Sequence, residues 1–136
     1  GLGTDGAASN NRLDILAEIR LATLLQKGLN NDPTALTAVS ALEMGTLAGA
    51  RALGLGHLIG SVEVGKAADF ILIDMDKPHL MPDHDLIANI VYSASAADIT
   101  DVFVAGREIV RNREVLTVDV ERTRNLITKF YNKMYN

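Results

Sequence analysis

The first 59 residues hold two apolar helical stretches and no strand for them to rest on. From Leu13 to about Lys27, the residues Leu13, Leu16, Ile19, Ala22, Leu24 and Leu25 fit a helix with a wide buried face. Asn11 is placed to cap it, Asp14 lies near its positive first turn, and Gly28 supplies a stop. A second helix is expected from Asp32 as N-cap, with Pro33 where its missing N–H costs nothing. It runs through Ala35, Leu36, Val39, Ala41, Leu42, Met44, Leu47 and Ala50 to about Leu53, ahead of Gly54. Apolar helix faces must be buried against another layer. The pattern therefore points to a chain that is part of something larger.

The texture changes near Gly60. Gly65-Lys66 reads as a turn, and Phe70-Ile71-Leu72-Ile73 as a strand whose unbroken apolarity suits cover on both faces. Residues 76–85, DKPHLMPDHD, form a polar loop, and Leu86 to Ala94 suit a short helix. A β-hairpin follows: a strand over 101–105, a turn at Ala105-Gly106-Arg107, and a return over 108–111. Asn112-Arg113 makes a second tight turn before Val115 and Leu116. Asp119 then caps an amphipathic helix whose apolar side is Val120, Leu126, Ile127, Phe130 and Met134. Three regions result: 1–59, 60–118 and 119–136. The fold class of the isolated chain is α+β.

Bulk properties remove several classes of function. The chain has 136 residues, 48% of them hydrophobic, and a net charge of only -4, which argues against disorder. The acidic balance, without a basic face, argues against nucleic-acid binding. There is no cysteine, so thiolate ligands, cysteine nucleophiles and disulfides are excluded. No apolar run approaches the roughly 18–20 residues that span a bilayer, and the N-terminus has no secretory pattern. The start Gly1-Leu2-Gly3, without methionine, reads as processed, cloned or truncated. A cytoplasmic location is the default expectation.

Asp5, in Gly3-Thr4-Asp5-Gly6, is the first candidate for chemistry. A carboxylate in a glycine loop ahead of a helix can bind a divalent cation. Aspartate beside glycine is equally a common turn former. Ser9, Asn10 and Asn11 share that loop and either face a substrate or cap the helix. His79 and His84, near Asp83 and Asp85, could bind a metal adventitiously, and His57 sits in a glycine loop. No phosphate-binding glycine pattern is present.

The stretch GTDGAASNNRLDILAEIRLATLLQK strongly resembles a segment of the amidohydrolase superfamily. Its S-adenosylhomocysteine/methylthioadenosine deaminase and triazine chlorohydrolase branch is the nearest. ALTAVSALEMGTLAGARALGL, IGSVEVGKAADFILIDMDKPHLMPDHDLIANIVYSA and DVFVAGREIVRNREVL extend the likeness over roughly residues 1–118. The resemblance implies the C-terminal part of a (β/α)8 barrel plus part of a small β-sandwich. It places Asp5 after the eighth strand, at the catalytic end of the barrel. It also implies one divalent metal, zinc with iron as the other option. Asp5 would then be metal ligand, substrate-site residue and proton shuttle for a water attacking an electron-poor ring carbon.

The same resemblance exposes a departure. The family's His-x-His pair, its two further histidines and its catalytic glutamate are expected upstream, and only His57, His79 and His84 occur here. One carboxylate cannot hold a catalytic metal, so the chain alone is expected to be inactive. Expected partners are a small purine-like or triazine-like substrate and further copies of the chain in a homo-oligomer, with neither nucleic acid nor membrane. Two alternatives stay open: a chlorohydrolase-type parent, and a natural non-catalytic module that pairs with another chain.

Overall fold

The computed structural model describes residues 1–135. Helix α1 spans Ile15–Asn30. Its N-cap is Asp14 rather than Asn11: Asp14 is in extended backbone and its carboxylate accepts from the Ala17 N–H at 3.2 Å. Gly28 does not end the helix. Asn31 does, in the left-handed region at φ 48, where asparagine is better tolerated than most side chains. The N–H groups of Asn31 and Asp32 turn back to the carbonyls of Gly28 and Lys27.

The expected second helix is two helices. α2 spans Ala38–Met44 and α3 spans Leu47–Ala52. Thr37 is the N-cap of α2, accepting from the Ser40 N–H at 3.2 Å. Asp32 instead folds over Thr34, taking hydrogen bonds from its hydroxyl and its N–H, both at 2.7 Å. These bonds hold the Asp32 carboxyl below the usual aspartate range. The break between α2 and α3 follows from packing. A Cβ on Gly45 would lie 2.5 Å from Ile19 Cδ1, so α1 rests directly on the glycine backbone.

Helix α4, Leu86–Tyr92, completes a small helical core with α1 and α2. Leu16, Ile19, Ala41 and Val91 are buried at its centre, with Leu36, Leu42 and Ile90 packed around them. Full burial of a side chain such as Ile19 contributes about 1.5–3 kcal/mol. Polar links reinforce the α1–α4 contact. The Arg20 guanidinium donates to the carbonyls of Val91 and Ala94, and Lys27 Nζ donates to the Tyr92 hydroxyl at 2.6 Å.

The four-stranded antiparallel sheet runs β1-β2-β3-β4 in space as in sequence. Its strands are Phe70–Ile73, Ile99–Val104, Arg107–Arg111 and Glu114–Val115. Two-residue turns set its register. Ala105-Gly106 (φ 50 and 76) and Asn112-Arg113 (φ 47 and 69) take the positive φ pair that matches strand twist. Phe70 stacks on Phe103 across β1 and β2 at 4.6 Å between ring centres. Cover on both faces of β1 is not what the described residues provide: Ile71 and Leu72, on opposite faces, stay 42% and 47% exposed. An apolar groove lined by Ile19, Leu42, Phe70 and Ile71 lies between β1 and the helices on one side.

Helix α5, Val120–Tyr135, starts where expected, with Asp119 accepting from the Arg122 N–H at 2.9 Å. Its apolar side, including Ile127, Phe130 and Met134, is exposed along the whole described helix. The result is the mixed α+β chain that the sequence implies.

Candidate active site

Residues 1–14 form a loop ahead of α1, and Asp5 lies within it. Two contacts anchor the beginning of this loop. The Leu2 N–H donates to the Met44 carbonyl at 3.1 Å, and Gly1 lies against Gly49 so closely that a Cβ would come within 2.8 Å of its Cα. Asp5 itself is exposed and has φ 58, a left-handed conformation that aspartate accepts more readily than most residues. One carboxylate oxygen accepts from the Gly6 N–H at 2.6 Å. The Thr4 hydroxyl donates to the Asp5 carbonyl at 3.0 Å.

A turn over residues 7–9 follows, in which the N–H groups of Ser9 and Asn10 both reach the Gly6 carbonyl, at 2.9 and 3.0 Å. Asn10 then makes the longest-range side-chain hydrogen bond of the loop among the described residues: its amide donates to Glu18 Oε1 at 2.7 Å. Its carbonyl oxygen accepts from the Arg12 N–H at 3.0 Å, and Arg12 pairs with Asp14 at 3.2 Å. Neither Ser9, Asn10 nor Asn11 caps α1, because Asp14 takes that role. The Asn10–Glu18 link was not anticipated from sequence. Its only signal is that both residues lie four positions from the true cap.

The other sequence candidates are dispersed. Asp85 caps α4 through the Ala88 N–H at 2.9 Å. His79 faces Asp98, with 3.1 Å between His79 Nε2 and Asp98 Oδ2. That buried aspartate also accepts from the Ser95 N–H and hydroxyl at 2.8 and 3.0 Å. Burial, the largest influence, pushes the Asp98 pKa up, but the bonds from His79 and Ser95 outweigh it and hold it below the ordinary range. His57 and His84 are exposed. Among the described residues, no three histidine, aspartate or glutamate side chains come together as a metal site.

A carboxylate oxygen donor such as Asp5 suits a divalent cation, and its exposure leaves it accessible to one. It fits a metal as one ligand among several, not as a site by itself. An open apolar groove of about 760 Å³ lies between the α2–α3 region and β1, lined by residues such as Leu2, Ala50, Leu53, Ile59 and Ile71. Asp5 does not line it.

Along the chain, the loop carboxylate comes first, then the helices and the antiparallel sheet. A sequence model of the amidohydrolase family covers residues 1–109, and the chain belongs to that family. It is 52% identical over 132 residues to the 5-methylthioadenosine/S-adenosylhomocysteine deaminase of Moorella thermoacetica, covering 97% of this chain and 31% of that protein. The deaminase of the same name from Desulforudis audaxviator is 54% identical over 121 residues, covering 89% of this chain and 28% of that protein. Among solved structures, a zinc-bound adenosine deaminase from Xanthomonas campestris superposes with a TM-score of 0.91 at 40% identity. That match covers 96% of this chain and 30% of that one. A zinc complex of atrazine chlorohydrolase from Arthrobacter aurescens superposes with a TM-score of 0.80 at 29% identity, over 91% of this chain and 28% of that one. The chain thus spans about three-tenths of the length of these relatives. Among the described residues, no helix is long and apolar enough to cross a membrane.

Proposed function

We infer that this chain is the C-terminal portion of a metal-dependent deaminase that hydrolyses the exocyclic C–N bond of an adenine-type nucleoside, such as methylthioadenosine or S-adenosylhomocysteine. The observation that carries this reading is the 52% identity, across 97% of the chain, to a deaminase of that name. The lower identity of 29% to the triazine enzyme makes dechlorination the weaker alternative.

Asp5 is assigned as one metal ligand and as the proton shuttle. Zinc, when bound, supplies the Lewis acidity that makes a hydrolytic water acidic near neutral pH. Asp5 accepts the proton of the attacking water as a general base. It then returns a proton to the departing nitrogen as a general acid, so that ammonia leaves. The exposure of Asp5 supports this role, because it leaves the carboxylate accessible to a metal ion. With one such ligand, residues 1–136 by themselves do not turn over substrate, since a catalytic zinc takes about three protein ligands.

Ammonia release by the full-length protein carrying this segment tests the substrate class. With zinc added, kcat/KM for methylthioadenosine and S-adenosylhomocysteine should exceed that for a chlorotriazine by about 100-fold or more. Preference for the chlorotriazine would overturn the assignment.

A further inference from the structure

The loop bearing Asp5 is tied down at two places, and the second tie has no role in the chemistry described so far. Its first part is fixed by the Leu2 N–H to the Met44 carbonyl. Beyond Asp5, the Gly6 carbonyl gathers the N–H groups of Ser9 and Asn10, bonds that stay within the loop and would move with it. Among the side-chain hydrogen bonds of the described residues, only that of Asn10 leaves the loop there, crossing eight residues to Glu18 Oε1 at 2.7 Å. Glu18 is in the first turn of α1, half-buried, on the helix whose Leu16 and Ile19 anchor the core. A carboxylate there faces the positive end of the helix, and an amide–carboxylate bond is charge-assisted.

A continuous path therefore runs from the Asp5 carboxylate to the Gly6 N–H, from the Gly6 carbonyl to Asn10, and from the Asn10 amide to Glu18. We propose that Asn10 and Glu18 are positioning residues for Asp5, their side-chain bond forming the strut that fixes its loop on the rigid end of α1. This rests on the reading of Asp5 as a metal ligand. Asp5 sits in an exposed loop, so its orientation must come from such supports.

The test uses the full-length enzyme carrying this segment, with zinc affinity measured by chelator competition and kinetics on methylthioadenosine. Asn10→Ala should weaken zinc binding about 10- to 100-fold and lower kcat comparably, while KM moves by less than about twofold. Glu18→Ala should match it. Glu18→Gln keeps an oxygen acceptor for the Asn10 amide and should stay within about threefold of wild type, separating loss of the strut from loss of folding. Wild-type zinc affinity and kcat in Asn10→Ala would overturn the proposal. So would a change confined to KM, which would mean that Asn10 meets substrate instead. Asp5→Asn in the same series separates the two ideas. If it weakens zinc and Asn10→Ala does not, the strut alone fails. If it leaves zinc affinity and kcat unchanged, the metal-ligand reading fails and the strut with it.

Discussion

Replacing Asp98 by alanine should be among the most damaging single changes in the chain, although Asp98 lies outside the candidate site. Asp98 is 4% exposed and ends a 3₁₀ turn, Ala96–Asp98, directly ahead of β2. Its Oδ2 takes three hydrogen bonds, two from Ser95 and one shared with the His79 ring. Bonds to a charged group are worth about 1.5–3 kcal/mol each, but partners around one oxygen do not add independently. Loss of a capping interaction alone costs about 1 kcal/mol. Asp98→Ala should therefore destabilise by about 2–4 kcal/mol, and Asp98→Asn, which keeps an acceptor for the Ser95 N–H, by about 1–2 kcal/mol. The His79 side chain is 49% exposed, so His79→Ala should cost only about 0–1 kcal/mol. Urea unfolding followed by circular dichroism measures all three. A cost below about 1 kcal/mol for Asp98→Ala, or an equal cost for His79→Ala, would refute the reasoning.

Four further outcomes follow from the same structure. The Asp98 carboxyl is held below its ordinary pKa, so its contribution is present above the aspartate range and lost as pH falls through the lowered value. Acid unfolding should thus steepen below about pH 4, and Asp98→Asn should flatten it in a urea-midpoint titration. Gly60→Ala should cost more than about 2 kcal/mol by thermal melt, because Gly60 has φ 94 and a Cβ would meet Ala50 Cβ at 2.7 Å; Gly54→Ala, at φ 74 in open space, should cost about 1 kcal/mol. Arg20→Met removes the donors to the Val91 and Ala94 carbonyls and should lower stability by about 1–3 kcal/mol, with faster amide exchange at the end of α4 as the readout. Deleting residues 119–136 should change the unfolding free energy of the remainder by less than about 0.5 kcal/mol, since no described residue of α5 is buried.

Local chemistry made the sheet readable. An uninterrupted Phe-Ile-Leu-Ile run gave β1 at its observed bounds, and Asn112-Arg113 is a two-residue turn as expected, whereas Arg107, expected in the first turn, opens β3 because Ala105-Gly106 suffice for the reversal. The helical half was less legible, because tertiary contacts decided it. Gly45 looks like one small residue in an alanine-rich helix until Ile19 is seen against its backbone, and that contact spans 26 positions of sequence. Asn11 and Asp14 are both good caps by residue type. Only the geometry that also places Arg12 on Asp14 and Asn10 on Glu18 selects Asp14. Gly28 fits inside a helix once Asn31 accepts the left-handed turn. Asp5 stands out as a candidate only through the family pattern around it, since an aspartate beside a glycine in an exposed loop is also what a turn looks like.

Asp5 is proposed to act as metal ligand and proton shuttle within a deaminase. The most direct measurement is zinc-dependent ammonia release from methylthioadenosine by the full-length protein, with Asp5 intact and with Asp5→Asn. A base that handles the reacting proton contributes about 10²- to 10⁴-fold, and the variant should lose at least that much kcat while remaining folded. Activity in Asp5→Asn within about tenfold of wild type would contradict the account.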